Sequence, residues 1–361
     1  MNKNYYAIIM AGGIGSRFWP ISRTSHPKQF IDILGTGKTL IQQTYDRFLK
    51  ICPQENIYIV TNENYSDLVK TQLPGISDHQ ILTEPVMRNT APCVAYGSFK
   101  IENLNPDAIL AVAPSDSLIL DEPKYIESVN LSMETAAKND CLITLGIKPS
   151  RPDTGYGYIQ YNDQLLNGDF HKVKTFTEKP SLDIAKTFLQ SGDFLWNAGI
   201  FVWSAKSIVK AFEKYLPDMT DIFADARSVY NTENERQHIS NAYQQCTNIS
   251  IDYGIMEKAD NVYVLPSEFG WSDLGTWTSV YQLAEKDYVG NAVIPSEKVI
   301  MYDSSNCMVN VPGEKLVVLQ GMHDFIVVEA NNTLMICPRD QEQSVKQIVA
   351  DVKQKFGNKY I

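Results

Sequence analysis

Three glycines in four positions, in the run Ala11-Gly12-Gly13-Ile14-Gly15-Ser16-Arg17, follow directly on the apolar block Tyr6 to Ala11. Glycine lets backbone N–H groups come close to a ligand. Arg17, with Lys28 close behind, adds two cations that can bracket phosphate oxygens. The run is not the dinucleotide fingerprint G-x-G-x-x-G, whose third glycine would fall at Phe18. From the loop alone, an ordinary strand-to-helix turn stays open. A second cluster, Gly35-Thr36-Gly37-Lys38-Thr39, imitates a phosphate-binding P-loop, but the leading glycine position holds Asp32. It reads as a turn before a helix. The six cysteines stand at least 30 residues apart, and His26, His79, His171, His238 and His323 form no HxxxH or HExxH. Thiol-pair chemistry and zinc hydrolysis are therefore disfavoured, and the cysteines read as buried reduced thiols.

The elements that must carry these groups alternate. Tyr6 to Ala11, Ile57 to Thr61, Ala108 to Ala113 and Leu142 to Gly146 are short, apolar and bounded by turns, as buried strands are. Helical stretches of about 39–50, 65–73, 92–103 and 124–139 lie between them. This order implies an α/β fold with a mostly parallel sheet covered on both faces, and a ligand site at the carboxyl ends of its strands. Strands at Tyr156 to Tyr161, His171 to Glu178, Gly199 to Trp203 and Val262 to Leu265 continue the same domain as a substrate-binding half, with helices near 182–191, 206–214 and 234–245. The texture changes after residue 286. Val299 to Tyr302, Cys307 to Val311, Leu316 to Leu319, Asp324 to Glu329 and Thr333 to Cys337 are closely spaced short strands. The expected division is a catalytic domain over 1–286 and a small β-rich domain over 287–361. A final helix presents Val345, Ile348, Val349, Val352 and Phe356 on one face, for its own domain or for a second subunit.

The chain has 361 residues and a formal net charge of −10. That balance disfavours nucleic acid or an anionic membrane as partner. No apolar stretch reaches the ~20 residues of a spanning helix, and no cleavage-site pattern follows the N-terminus. The expected location is the cytoplasm.

The wider string decides the reading of the glycine turn. Ala11 to Arg23 (Ala-Gly-Gly-Ile-Gly-Ser-Arg-Phe-Trp-Pro-Ile-Ser-Arg), then Pro27-Lys28-Gln29-Phe30, closely resembles the signature of the nucleotide-sugar pyrophosphorylases, and within them the mannose-1-phosphate guanylyltransferases. Further blocks match in order. They are Glu84-Pro85 with Arg88-Asn89-Thr90-Ala91-Pro92, Pro114-Ser115-Asp116, Thr154-Gly155-Tyr156-Gly157-Tyr158-Ile159, Glu178-Lys179-Pro180, Trp196-Asn197-Ala198-Gly199-Ile200-Phe201, Ser250-Ile251-Asp252-Tyr253, and Trp271 to Trp277. The resemblance covers about residues 5 to 280. It implies a Rossmann-like catalytic domain with a β-helix-like tail. The matching blocks end by Thr276-Trp277 and residues 287–361 hold no cation–carboxylate constellation, so the tail is expected to be separable from the chemistry. The chain is too short for the added isomerase domain of some bacterial members.

The reaction so implied is GTP plus mannose 1-phosphate giving GDP-mannose and pyrophosphate. Arg17 and Lys28 are the expected phosphate cations, and Asp116 and Asp273 the expected Mg²⁺ ligands. The backbone of Ala11, Gly12, Gly13 and Gly15, with Arg88, Asn89, Thr90, Pro114 and Ser115, would bind the nucleotide. Thr90 followed by Pro92 reads as a helix start with free N–H groups. Gly157, Glu178, Lys179, Asn197 and Asp252 would bind the sugar phosphate. The sequence departs from the family at Ser117, where His is common, at Ala198, where Ser is common, and at Gly254, where Ala is usual. Another sugar 1-phosphate or NTP, a silent nucleotide-sugar-binding homologue, and assembly into a homo-oligomer stay open.

Overall fold

The computed structural model describes all residues but 167, 296, 297 and 314. They group into two compact units. The first comprises Met1–Gly12, Thr44–Ser115 and Ile119–Trp271; the second comprises Gly13–Gln43, Asp116–Leu118 and Ser272–Ile361.

The first unit is built on a nine-stranded sheet. Its strands are β1 (Tyr5–Ala11), β2 (Ile57–Asn62), β3 (Ile81–Glu84), β4 (Ile109–Pro114), β5 (Leu142–Ile147), β6 (Gly157–Leu165), β7 (His171–Glu178), β8 (Phe194–Ser204) and β9 (Val262–Ser267). The order is β3-β2-β1-β4-β8-β5-β9-β7-β6. β1, β2, β3 and β4 run parallel, with Ala7 opposite Ile57 and Ile8 opposite Val112. Their Ile/Val/Ala runs suit strands buried on both faces, and Ala7, Ile8 and Ile9 are wholly buried. The sheet is more mixed than the alternation implies, because the long strand β8 runs antiparallel between β4 and β5. β3 escaped the sequence reading, having only four residues and polar Thr83 and Glu84 at its end.

The main helix on this sheet, Thr90–Leu104, is buried along most of its length. Tyr96 and Phe99 pack there with Phe212, Phe223 and Tyr243 in one core. Inside it, the Lys100 ammonium meets Glu235 Oε1 and Oε2 at 2.6 and 2.7 Å, and Tyr96 donates to the same carboxylate. A buried charge tolerates its surroundings only when paired in this way.

The second unit holds the short strands β10 (Ala292–Ile294), β11 (Val299–Tyr302), β12 (Met308–Asn310), β13 (Val317–Gln320), β14 (Phe325–Ala330) and β15 (Thr333–Pro338). β10, β12 and β14 pair in parallel, as do β11 and β13, and β14 turns back onto β15. The closing helix, Val345–Phe356, buries Val345 and packs Ile348, Val349 and Val352 into the unit's own core, while Phe356 stays exposed. That core also contains Phe18, Trp19 and Ile33, from the segment carrying the glycine signature. The tail and the signature segment therefore share one core. Among the described residues, no helix is long and apolar enough to cross a membrane.

Candidate active site

In the second unit, Lys28 is only 4% exposed. Its ammonium lies 2.9 Å from Asp116 Oδ2 and donates to the carbonyls of Asp273 at 2.6 Å and Leu274 at 3.1 Å. Three donors thus meet three acceptors. Lys28 is no solvated surface lysine, and its ammonium is turned to Asp116 and the 273–274 turn. The arrangement begins at Gly15, which sits at φ +70° with the Lys28 side-chain stem where a Cβ would go. The Lys28 N–H donates to Ile14 O, tying the glycine turn to the lysine by backbone as well. Asp273 Oδ1 accepts from Gly275 N at 3.0 Å. Asp116 and the residue-273 backbone thus converge on one ammonium, and both carboxyls are half-buried.

Arg17 is half-buried, and its Nε donates to Gln343 Oε1 at 3.1 Å. Among the described residues, its terminal nitrogens bond to no protein group. The P-loop imitation is filled by its own chain: Asp32 accepts from Thr36 N at 2.9 Å and Gly37 N at 2.6 Å. Those are the N–H groups a phosphate would need.

In the first unit, Ala11 O accepts from Thr61 Oγ1 at 2.8 Å, and Ser115 N donates to Met10 O at 2.9 Å. These bonds fix the carboxyl ends of β1 and β4, where Gly12 and Pro114 lie. Arg88 Nε donates to Tyr243 O at 3.3 Å. The Thr90–Leu104 helix starts where expected, but its first N–H groups are not free. Asn89 Oδ1 accepts from Thr90 N at 2.9 Å, Ala91 N donates to Ile249 O at 3.1 Å, and Pro92 has none. The cap at Asn89 and the neighbouring segment, where Thr90 Oγ1 also takes Ile251 N, use them up.

The residues expected to bind the sugar phosphate fall together in the first unit. Gly157 and Glu178 are partners in the β6–β7 ladder. A Cβ on Gly157 would stand 2.5 Å from Glu178 Oε2, so glycine is what lets this carboxylate fold over the strand. Glu178 pairs with the Lys179 ammonium, and Lys179 sits in the left-handed region at φ 47°. Asn197 Nδ2 donates to Asp252 Oδ1 at 2.7 Å, while Asn197 Oδ1 accepts from Gly199 N at 3.1 Å and Thr144 Oγ1 at 3.3 Å. Burial raises the Asp252 carboxyl above the usual range, the Asn197 bond opposes this, and the Glu178 charge adds to it.

Glu84 is the residue that sequence reasoning passed over. In the sequence it is one residue of a matching block, yet it ends β3 buried, and its Oε2 would stand 3.5 Å from a Cβ on Gly12. Burial pushes it up to about 7, against a hydrogen bond from the Tyr243 hydroxyl at 3.0 Å. Its signal in the sequence was position: a carboxylate at the carboxyl end of a strand. A methyl at Gly254 would stand 2.9 Å from Leu216 Cδ1, the end of a side chain that can turn aside. Ser117 is buried.

A family model described as "Nucleotidyl transferase" matches residues 6–289. A second, the MannoseP isomerase/GMP-like beta-helix domain, matches residues 297–352. The alginate biosynthesis protein AlgA of Pseudomonas syringae is 36% identical over 353 residues, 96% of this chain and 72% of that protein. The mannose-1-phosphate guanylyltransferase of Klebsiella pneumoniae is 32% identical over 360 residues, 98% of this chain and 75% of that protein. A crystal structure described as mannose-1-phosphate geranyltransferase from Thermus thermophilus matches with TM-score 0.86 at 29% identity, covering 97% of this chain and 99% of that one.

Proposed function

The chain belongs to the nucleotidyl transferase family, and from that premise we propose that it transfers GMP from GTP to α-D-mannose 1-phosphate, forming GDP-mannose and pyrophosphate. The observation that carries this reading is the hold of Lys28 on Asp116 and the 273–274 turn beside a glycine turn that bears Arg17.

A sugar phosphate is largely dianionic at neutral pH, its second pKa being about 6. It can attack the α-phosphorus in line without a general base. The work left to the protein is positioning and offsetting negative charge. Arg17 offers its terminal nitrogens to phosphate oxygens as a planar fork. Lys28, buried, fixes Asp116 and the backbone of residue 273, and its charge moderates the repulsion between those carboxylates and an arriving triphosphate. Asp116 and Asp273 are hard oxygen donors. Among the described residues no group of three or more His, Cys, Asp or Glu could hold a metal. That donor set suits Mg²⁺, which binds through one or two carboxylates and completes its shell with substrate phosphates and water. When bound, Mg²⁺ would supply positive charge against the leaving pyrophosphate. In the first unit, Asn197, Asp252 and Glu178 provide acceptors and an amide for sugar hydroxyls, and Lys179 a cation for the sugar's phosphate. The six cysteines are buried and free, in keeping with a reducing cytoplasm.

A panel of NTPs against sugar 1-phosphates, read by pyrophosphate release, tests the proposal. GTP with mannose 1-phosphate should give the highest kcat/KM. A faster pair would reassign the substrates. Nucleotide-sugar binding without turnover of any pair would make the chain a silent homologue.

A further inference from the structure

The short helical turn Arg339–Ser344 sends two neighbouring side chains to two different limbs of the phosphate-handling residues. Gln343 Oε1 accepts from Arg17 Nε at 3.1 Å. Glu342 Oε2 accepts from Thr278 N at 2.9 Å, in the first turn of the Trp277–Leu283 helix. That helix directly follows the Asp273-Leu274 turn on which Lys28 closes. Phe18, next to Arg17, packs edge-on against Trp277 with ring centroids 5.1 Å apart, so the two limbs are also joined through the core.

We infer that Gln343 is a positioning residue for Arg17, and that with Glu342 it keeps the arginine limb and the Asp273 limb in register. The inference rests on the reading that Arg17 meets the triphosphate. A free arginine side chain carries the rotamer entropy of a long, flexible stem. Anchoring Nε on one side removes part of that cost before a ligand arrives, and leaves the terminal nitrogens for phosphate. The choice of side chain matters. The amide oxygen of glutamine orients the guanidinium without neutralising it, whereas a carboxylate would form a charge-assisted pair and compete with phosphate. The carboxylate next door, Glu342, is directed to a backbone N–H instead.

The test is a double-mutant cycle on the full chain with GTP and mannose 1-phosphate, combining Gln343→Ala and Arg17→Ala, with Gln343→Glu as a third variant. Gln343 is exposed, so Tm should stay at the wild-type value in Gln343→Ala. Its kcat/KM for GTP should fall about 3- to 10-fold, the scale of one solvent-exposed hydrogen bond. Gln343→Glu should lose more than Gln343→Ala, with the larger part of the loss in KM for GTP. In the Arg17→Ala background, Gln343→Ala should cost nothing further. If Arg17→Ala is impaired while the Gln343→Ala loss is absent or fully additive, Gln343 does not act through Arg17 and the inference falls alone. If Arg17→Ala turns over like wild type, the role given to Arg17 falls, and the inference with it.

Discussion

The side chain of Lys28 fills the space that a Cβ on Gly15 would need, and Gly15 holds a left-handed backbone at φ +70°. The glycine of the signature turn is thus tied sterically to the lysine thirteen positions on. Gly15→Ala must either move Lys28 or distort the turn, and an L-residue in this backbone region costs roughly 1–2 kcal/mol before any clash. We expect kcat/KM to drop by at least about tenfold, on the view that small misplacements at a preorganised site are expensive, with a lowered Tm. Wild-type kinetics in Gly15→Ala would show that the packing has slack and that the Lys28 position is not critical.

Lys28→Ala removes the one partner common to Asp116 Oδ2 and the carbonyls of Asp273 and Leu274. The expected loss in kcat/KM is about two to three orders of magnitude, the scale for one preorganised charge. Stability should fall too. Breaking a buried pair costs about 3–5 kcal/mol, but the Asp116 side chain is 32% exposed, so solvent screening brings the expectation to about 1–3 kcal/mol. Urea unfolding midpoints beside steady-state kinetics check both halves. Turnover at the wild-type rate would remove Lys28 from the site.

Much of this was legible in the sequence. The parallel strands of the first unit announce themselves as Ile/Val/Ala runs, and Gly12, Gly13 and Gly15 stand directly after the first of them. Two features were not legible because they depend on side chains distant in sequence. Lys28 reads as a phosphate cation from its neighbours, but Asp116 and Asp273, 88 and 245 positions on, turn it inward. The N–H groups at Thr90 and Ala91 read as free, but Asn89 and Ile249 satisfy them. Glu84 was hidden differently: its strand is four residues long, below what periodicity resolves, and a carboxylate's burial is invisible until Tyr243 packs over it.

Turnover should depend strictly on a divalent cation, best on Mg²⁺ or a similarly hard ion, because the donors at Asp116 and Asp273 are oxygens. Removing the metal with a chelator should abolish pyrophosphate release, and Mg²⁺ in excess should restore it. Asp116→Asn and Asp273→Asn should each raise the Mg²⁺ concentration needed for half-maximal rate. Full turnover in excess chelator would sink the metal assignment.

Glu84 carries a pH signature. Its folded-state value of about 7 lies above the ordinary 4.5, so the folded chain keeps a proton that the unfolded chain has released. Its contribution favours folding below about pH 4.5, declines as pH rises toward 7, and is lost above that. The full difference is worth about 3 kcal/mol. Glu84→Gln should therefore match wild type near pH 4 and exceed it at pH 8 by up to that amount, read from urea midpoints at the two pH values.

Removing the tail should not leave a working nucleotide-binding half. Phe18, Trp19 and Ile33 share a core with Met308, Ile326, Val328, Met335 and Val345. Trp19 Nε1 donates to Tyr360 O at 2.7 Å, and Arg23 Nη2 reaches Ala330 O at 3.1 Å and Thr333 Oγ1 at 3.0 Å. A chain ending at residue 285 would strip the signature segment of these partners and expose its aromatic rings to water. A shorter cut, ending at residue 356, keeps β10 to β15 and the last helix but removes the Tyr360 carbonyl. The chain ending at 356 should fold with a lowered Tm, since an orphaned buried N–H costs about 1–3 kcal/mol, and should bind GTP more weakly than wild type. The chain ending at 285 should lose GTP binding together with its cooperative unfolding transition. Calorimetry and GTP titration on the two chains in parallel decide the matter: a 285-residue chain that melts cooperatively and binds GTP with wild-type affinity would show that the tail is dispensable to the signature segment.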